Sequence, residues 1–347
     1  MKRHLLFLAA LLIVNLAASA QKKFSVYAVG FYNQENLFDT CHDEGKKDYE
    51  YLPNKGWNGM KYTNKLRNMS KALADMGTDV LPNVGCAFIG LSEVENHKVL
   101  DALVDQAPLK ARNMKYVHIE GPDRRGIDCA LLYNPSLFSV KNVKLLPYVQ
   151  ELAKDSAFFT RGFLTVIGEM AGDDVAVIVC HWPSRFSGPF YRESAARQVK
   201  VIKDSLLNVN QEMKIFVMGD MNDDPVNKSM HVYLQAKPEI SQVGAGDMYN
   251  PWYNVLAKEG KGTLFYSGNW NLFDQIVITP NLLNKDAKKK DYSSLKYWKS
   301  HIFRRDYLIQ QEGQYKGAPL RTTAGGRWLN GYSDHLPVVM YLVKEKK

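Results

Sequence analysis

The segment Ile215–Pro225 reads IFVMGDMNDDP, an apolar half followed at once by acids and amides. The first half has the composition of a buried strand. If the extended backbone continues past Gly219, Asp220 and Asn222 lie on one face, because strand side chains alternate with a period of two. A carboxylate beside a carboxamide can hold a cation and a water molecule next to an anionic substrate. An Asx-rich turn beginning a loop at Asp224-Pro225 explains the same letters without any function.

Composition indicates a folded chain with a substantial core. The sequence has 347 residues, of which 46% are hydrophobic and 12% aromatic, which argues against disorder. The formal net charge of +9 suits polyanionic partners without establishing them. There are four cysteines; Cys129 and Cys180 lie in apolar runs that suit small buried thiols, and we predict no disulfide.

The amino terminus has the pattern of a secretory signal. Lys2 and Arg3 precede an apolar run from Leu5 to Leu16, and Ala18-Ser19-Ala20 precede Gln21. This predicts a cleaved signal peptide over residues 1–20 and one catalytic domain over residues 21–347. The run is short for a membrane span, and no later segment has a spanning pattern. We therefore expect an exported protein, periplasmic or secreted, and infer no protein partner.

Strand and helix patterns interleave along the rest of the chain. Leu66, Met69, Leu73 and Met76 recur at helical spacing, and a second helix opens at Pro189. Apolar runs predict strands at residues 24–31, 86–91, 127–133, 175–180, 215–219, 270–279 and 336–343. The pattern predicts a mixed α/β fold with two sheets or one large sheet.

Several of these strands end in a small set of polar residue types. The residues concerned are Asn33 and Glu35, Glu93, His181, Asp220 and Asn222, with Ser333-Asp334-His335 leading into the last strand. One terminal acid means little, because strands commonly end in Asx turns. Acids, carboxamides and imidazoles at five strand ends instead indicate one shared rim.

Six motifs spread over nearly the whole chain carry a family resemblance. In order they are YNQENLF, LSEVEN, HWPSR, GDMNDDP, FDQIVIT and YSDHLP. Together they resemble the endonuclease/exonuclease/phosphatase superfamily, which includes deoxyribonuclease-like enzymes. The resemblance implies a four-layer α/β/β/α sandwich of two mixed β-sheets flanked by helices. It also implies hydrolysis of phosphate esters with a divalent ion, usually Mg²⁺, with Mn²⁺ or Ca²⁺ as alternatives.

The resemblance also implies roles for the residues at the rim. Glu93 would be the principal metal-binding carboxylate, with Glu35 and Asp334 as further or water-mediated ligands. Asn33 would help to hold the phosphate or the metal, and Asp220 would orient and deprotonate the attacking water.

Four more residues complete the implied catalytic set. Asn222 would hydrogen-bond the phosphate, His181 and His335 would contact its oxygens, and Asp274 would fix the tautomer of His335. The chemistry is consistent, because a hard cation offsets the negative charge that repels the attacking water. An imidazole can donate a proton near neutral pH. No serine has the sequence context of an activated nucleophile.

Arginines near the predicted strands are candidates for substrate binding. Arg125, Arg161 and Arg185 could bring guanidinium groups to phosphate, although surface ion pairs explain them equally well. The segment from Asn284 to Arg327 mixes basic and aromatic residues, which can bind phosphates and stack on bases or can form a solvated loop. Because it joins two predicted catalytic strands, we expect it to wall the substrate cleft.

These features favour an exported, metal-dependent phosphoesterase that cleaves phosphodiesters, with nucleic acid as the favoured substrate. The fold also hosts phosphatases and phosphodiesterases of nucleotides, inositol phosphates and phospholipid head groups, and fold alone does not decide the substrate. A zinc hydrolase is disfavoured because the sequence has no HExxH motif. A noncatalytic polyanion-binding protein is the alternative from another class.

Overall fold

A computed structural model describes residues 23–151, 158–286 and 288–346. The expected signal peptide over residues 1–20 lies outside these ranges. Within these ranges the α-helices are α1 Gly59–Asp75, α2 His97–Val104, α3 Ala107–Ala111, α4 Pro189–Val209 and α5 Trp252–Ala257. The strands are β1 Phe24–Leu37, β2 Cys86–Val94, β3 Lys115–His118, β4 Asp128–Tyr133, β5 Phe138–Leu146, β6 Phe163–Met170, β7 Asp173–His181, β8 Lys214–Asp220, β9 Ala236–Lys237, β10 Met248–Tyr249, β11 Leu264–Tyr266, β12 Asn269–Asn271, β13 Asp274–Ile278, β14 Lys296–Ile302, β15 Thr323–Ala324, β16 Arg327–Trp328 and β17 Val338–Glu345.

Two large mixed sheets form the centre of the fold. The six-stranded sheet has the order β14-β17-β1-β2-β4-β3, and the seven-stranded sheet has the order β5-β6-β7-β8-β13-β10-β9. In the first sheet β1 runs parallel to β2 and antiparallel to β17. In the second sheet β8 runs parallel to β7 and antiparallel to β13. The predicted pair of mixed sheets is confirmed.

Three apolar cores separate four layers. The first lies between the sheets and includes Phe31, Phe88, Phe216 and Met340. The second packs α1 to α3 against the six-stranded sheet, and the third packs α4 against the seven-stranded sheet. This is the α/β/β/α sandwich that the resemblance implied, and it follows from two sheets that each need cover on both faces.

Helix α1 shows how local sequence fixes an outer layer. The Asn58 side chain accepts a hydrogen bond from the Lys61 N–H and caps the first turn. Leu66, Met69 and Leu73 are buried on its inner face, as their spacing predicts. Gly77, just past the helix, has φ of 82°, a conformation that favours glycine.

Two segments differ from the sequence-based expectation. Strand β1 continues through Asn33 and Glu35 to Leu37 instead of ending near Phe31. The segment from Asn284 to Arg327 is not one loop, because it contains β14, which forms an edge of the six-stranded sheet by pairing with β17. Tyr297, Trp298 and Lys299 therefore lie in an edge strand. An apolar-periodicity argument misses this strand because the charged Lys296 takes a buried position and the apolar Trp298 an exposed one.

All four cysteines are free thiols in the structure. Cys129 and Cys180 are buried, as expected for small apolar side chains. In the part of the chain that the structure covers, no helix has the length and apolar character required to traverse a bilayer.

Gly219 offers a test of how closely β7 and β8 must approach. A Cβ atom there would lie 2.2 Å from the carbonyl oxygen of Cys180, which is backbone and cannot rotate away. We expect Gly219→Ala to lower the free energy of unfolding by about 1–3 kcal/mol, measured by urea denaturation. Gly59→Ala is the matched control, because a Cβ at this first position of α1 has open space around it. Equal stability of the two variants would contradict the close approach.

Candidate active site

Strand direction gathers the polar residues at one rim of the sandwich. Strands β1, β2, β7 and β8 end there, and β13 and β17 start there because they run antiparallel to their neighbours. Within the seven-stranded sheet, Asp220 pairs with His181 on β7 and with Asp274 on β13. Three catalytic candidates therefore stand side by side across three strands.

The period-two alternation aims these side chains between the sheets. Phe216 and Met218 of β8 belong to the inter-sheet core, and Asp220 is the next residue on that face. The same count along β1 leads from Val29 and Phe31 to Asn33. The apolar core thus gives way to polar side chains at its edge, and both sheets contribute.

Asp220 is the centre of the site. Its Oδ2 accepts a hydrogen bond of 3.0 Å from the Asn33 Nδ2 on the opposite sheet. The Nε2 atoms of His181 and His335 lie 3.6 Å and 3.9 Å from the same oxygen. Only 2% of Asp220 is exposed, so desolvation raises the pKa of its carboxyl above the usual range, against the opposing effect of His335.

His335 and Asp274 form a second polar contact across the sheets. The Nδ1 of His335 lies 2.7 Å from Oδ2 of the fully buried Asp274. Burial lowers the pKa of His335, but the carboxylates of Asp274 and Asp220 outweigh that effect and hold it well above the ordinary value. The two carboxylates therefore favour the protonated form of His335, whose Nε2 lies 3.9 Å from Oδ2 of Asp220.

His181 has the opposite character. Burial lowers the pKa of this imidazole well below its usual value, and the charges of Arg161 and Arg125 add to that effect. Its Nε2 lies 3.6 Å from Asp220 and 3.9 Å from Oε1 of Glu93. The site thus places two imidazoles with opposite pKa shifts beside the same carboxylate.

Glu35 and Glu93, two of the carboxylates that the family resemblance assigns to a metal, lie on irregular backbone. Glu35, Asn36 and Glu93 have φ of 45°, 59° and 60°, which non-glycine residues adopt rarely. The Asn36 N–H donates to Oε2 of Glu93 at 2.9 Å and ties the end of β1 to the end of β2. The pairing of β1 with β2 shifts register at this point, which turns Glu93 out of the regular alternation.

An arginine from the long connection before β17 joins the other two acids. The Nε of Arg321 lies 3.2 Å from Oε1 of Glu35, and its Nη2 lies 3.1 Å from Oδ2 of Asp334. The other oxygen of Glu35 accepts from the Thr322 N–H at 2.6 Å. Burial raises the pKa of Glu35, and the charge of Asp334 acts in the same direction.

The carboxylate oxygens of Glu93 and Glu35 differ in whether they are free to bind a divalent cation. Oε1 of Glu93 accepts no hydrogen bond from the described residues, whereas both oxygens of Glu35 are engaged. Within the described ranges no three His, Cys, Asp or Glu side chains already form a metal-binding group. Carboxylate oxygens are nevertheless the ligand type that a hard cation prefers, and Oε1 of Glu93 is one without a hydrogen bond from the described residues.

The chain resembles known proteins both in sequence profile and in fold. The profile of the Endonuclease/Exonuclease/phosphatase family matches residues 28–344. The chain belongs to this family. A search of curated protein sequences gives no match.

Solved structures at low identity share the fold. An endonuclease/exonuclease/phosphatase family protein of Bacteroides thetaiotaomicron has a TM-score of 0.55 at 14% identity, over 93% of this chain and 97% of that chain. A mannosyl-6-phosphatase of the same organism has a TM-score of 0.54 at 14% identity, over 91% and 99%. TDP2 of D. rerio, complexed with a single-strand DNA product, has a TM-score of 0.52 at 11% identity, over 92% and 99%. These likenesses show the endonuclease/exonuclease/phosphatase fold.

A pocket of about 270 Å³ lies over the catalytic candidates of this family member. Glu93, His181, Asp220, Asn222 and His335 line it together with Arg125 and Arg161. Asn222 does not continue β8, since the strand ends at Asp220 and Asn222 has φ of 49°. Its Nδ2 donates to the carbonyl oxygen of Trp182 at 2.9 Å, so it reaches the pocket from a turn.

Of the three arginines predicted to bind substrate, Arg125 and Arg161 line the pocket and Arg185 does not. Arg125 contacts the side chain of Asn36 and lines the pocket. Arg161 is paired with Asp123 at 3.1 Å and also lines it. Arg185 instead pairs with Asp224 at 2.7 Å and lies over the ring of Phe273, so it stabilises the turn after β8 and does not line the pocket.

Sequence reasoning missed two basic residues of the site. Arg321 gave no local signal, because its acidic partners are distant in sequence. Lys65 lies four residues before Met69 on the apolar face of α1, and a charge in that position was the available signal. It is fully buried and donates to Oγ1 of Thr322 and to the carbonyl oxygen of Tyr332, at 2.5 Å each.

Replacing Asp274 tests the electrostatic control of His335. We expect Asp274→Asn to lower the pKa of His335, because the charge that favours its protonated form is lost, and to reduce kcat roughly 100-fold. NMR titration of the imidazole and steady-state kinetics measure the two effects. Asp79→Asn is the matched control, because Asp79 pairs with His301 at 3.3 Å. An unchanged pKa of His335 in Asp274→Asn would contradict the assigned pair.

Proposed function

We propose that this family member is a divalent-metal-dependent phosphoesterase that cleaves phosphodiester bonds by direct attack of water, with nucleic acid as its substrate. The observation that carries the proposal is the position of Asp220. This buried carboxylate accepts a hydrogen bond from Asn33 and lies between two imidazoles whose pKa values are shifted in opposite directions. It also lines the catalytic pocket. An activated water and a phosphate ester are the reactants that such a set serves.

Asp220 acts as the general base. Its raised pKa brings it nearer to neutrality, where proton acceptance from water is more efficient than for an ordinary aspartate. The hydrogen bond from Asn33 leaves the carboxylate in one orientation. The proton of the attacking water passes to Asp220 as the oxygen bonds to phosphorus.

The imidazoles and Asn222 act on the phosphate. Protonated His335, oriented by Asp274, donates through Nε2 to a phosphate oxygen on which negative charge accumulates. Neutral His181 and the Asn222 amide line the same pocket and bind the remaining oxygens. The bond from phosphorus to the leaving oxygen then breaks without a covalent enzyme intermediate.

Glu93, with Glu35 and Asp334 beside it, would hold the cation. When bound, Mg²⁺, or Mn²⁺ or Ca²⁺ in its place, supplies positive charge that offsets the charge of the phosphate and the leaving group. Arg125 and Arg161 provide further positive charge at the pocket wall. The basic composition of the chain supports a polyanionic substrate.

Asp220→Asn tests the general base. We expect the variant to retain its melting temperature and to lose at least about 100-fold in kcat, because the amide cannot accept the proton. Asp105→Asn removes an equivalent charge at an exposed site and is the control. Turnover of Asp220→Asn at the wild-type rate would remove the base from the mechanism.

A substrate panel tests the metal and the substrate class. Purified protein is assayed on single-stranded DNA, RNA, a phosphorylated sugar, an inositol phosphate and a small phosphodiester, with magnesium or with a chelator. We expect chelation to abolish turnover, magnesium to restore it, and the nucleic acids to give the highest kcat/KM. Metal-independent turnover would contradict the mechanism. Preference for the phosphorylated sugar would favour a phosphatase, as in the mannosyl-6-phosphatase that shares the fold.

Export is also proposed, from the signal-like pattern of residues 1–20. Sequencing the amino terminus of the protein recovered from an expressing bacterium tests it. A terminus near Gln21 in the periplasmic or secreted fraction is expected, and an intact Met1 terminus in the cytosolic fraction would contradict it.

A further inference from the structure

A second cavity lies beside the catalytic pocket and is built mainly by the connection to β17. We name it the insertion cavity; it is lined by residues 265–268 of the β11–β12 hairpin, by parts of segment 310–329 and by Asp334. Its volume of about 1100 Å³ is larger than the 270 Å³ of the catalytic pocket. Ligand sites commonly measure about 300–1,000 Å³, so a nucleotide-sized group fits inside.

The insertion cavity meets the catalytic centre at one pair of residues. Asp334 lines the cavity and directly precedes His335, which lines the catalytic pocket. Arg321, also in the cavity wall, reaches from there to Glu35 and Asp334. The insertion cavity and the catalytic pocket are therefore neighbours at Asp334 and His335.

The wall presents a charge that no other group neutralises. Arg321 is engaged by two carboxylates, but Arg327 is exposed, and its side chain forms no hydrogen bond or ion pair with the described residues. It is held on the short hairpin β15–β16, whose turn residues Gly325 and Gly326 have φ of 55° and 76°. A guanidinium on a fixed hairpin suits a phosphate oxygen of a bound chain.

Aromatic and amide groups complete the lining. Tyr266 and Tyr315 line the cavity and are 68% and 53% exposed, so their ring faces are accessible to a ligand. Gln310 and Gln314 add carboxamides, which can both donate and accept hydrogen bonds. Flat aromatic faces, amides and a guanidinium together match a planar polar ring that carries a phosphate.

We propose that the insertion cavity is a subsite for a nucleotide unit next to the scissile phosphate, with Arg327 binding its phosphate and Tyr315 or Tyr266 stacking on its base. The proposal rests on the phosphodiesterase function and extends it, because it assigns substrate binding to the chain's long connection.

The test uses Arg327→Ala/Tyr315→Ala in the full chain. Two substrates are compared: a short single-stranded oligonucleotide, which extends into the cavity, and methyl 4-nitrophenyl phosphate, a minimal phosphodiester without a sugar or a base. We expect KM for the oligonucleotide to rise on the order of 10- to 100-fold with kcat little changed, because one stack and one phosphate contact are lost. Kinetics on the minimal ester should stay at the wild-type values.

The control variant is Trp298→Ala/Lys299→Ala. It removes a similar aromatic and basic pair from the same connection, but from β14, away from the cavity. Arg327→Lys, which retains the charge, should give an intermediate KM. Wild-type KM for the oligonucleotide in Arg327→Ala/Tyr315→Ala would overturn the subsite, as would an equal loss on both substrates.

A binding measurement separates this proposal from the proposed function. Fluorescence anisotropy of a labelled oligonucleotide is measured on Asp220→Asn with and without the two cavity substitutions. We expect the cavity substitutions to weaken binding by the same factor as they raise KM. Full turnover by Asp220→Asn would reject the catalytic mechanism, whereas unchanged oligonucleotide binding would reject the subsite alone.

Discussion

Two polar contacts cross from one sheet to the other at the rim, and the site depends on both. Asn33 of the six-stranded sheet donates to Asp220 of the seven-stranded sheet, and His335, just before β17, pairs with Asp274 on β13. Each contact is buried, so a small displacement of one sheet would leave a polar group without its partner. The large apolar core between the sheets, with Phe31, Phe216 and Met340, prevents that displacement.

The charges at the rim follow from unequal environments. Two carboxylates facing His335 raise its pKa, while burial and the nearby Arg161 and Arg125 lower the pKa of His181. Asp220 lies between them with a raised pKa. Two groups of the same intrinsic chemistry thereby differ in proton affinity within one pocket. The left-handed backbone at Glu35 and Glu93 adds local strain, which the surrounding pairing of β1 with β2 sustains.

The long connection before β17 is both structural and close to the chemistry. Its strand β14 pairs with β17 and covers the edge of that strand. Its last part places Arg321 beside Glu35 and Asp334. Buried Lys65 holds Thr322 and Tyr332 from the helical layer, so the end of the connection is fixed to α1. Variation in this segment would change what surrounds the catalytic centre without altering the sandwich.

The sequence by itself determined the fold class and the residues that gather at the rim. Apolar runs ending in Asn33, Glu93, His181 and Asp220 were readable because strand periodicity is local, and the ordered motifs identified the family. Only the tertiary structure decided how Asn222 reaches the pocket, that Arg185 stabilises a turn, and that Arg321 and Lys65 belong to the site. The physical reason is that most of these contacts join residues far apart in the chain. The position of Asn222 depends instead on a backbone that leaves the strand conformation at Met221. Neither feature is encoded by a local periodicity of the sequence.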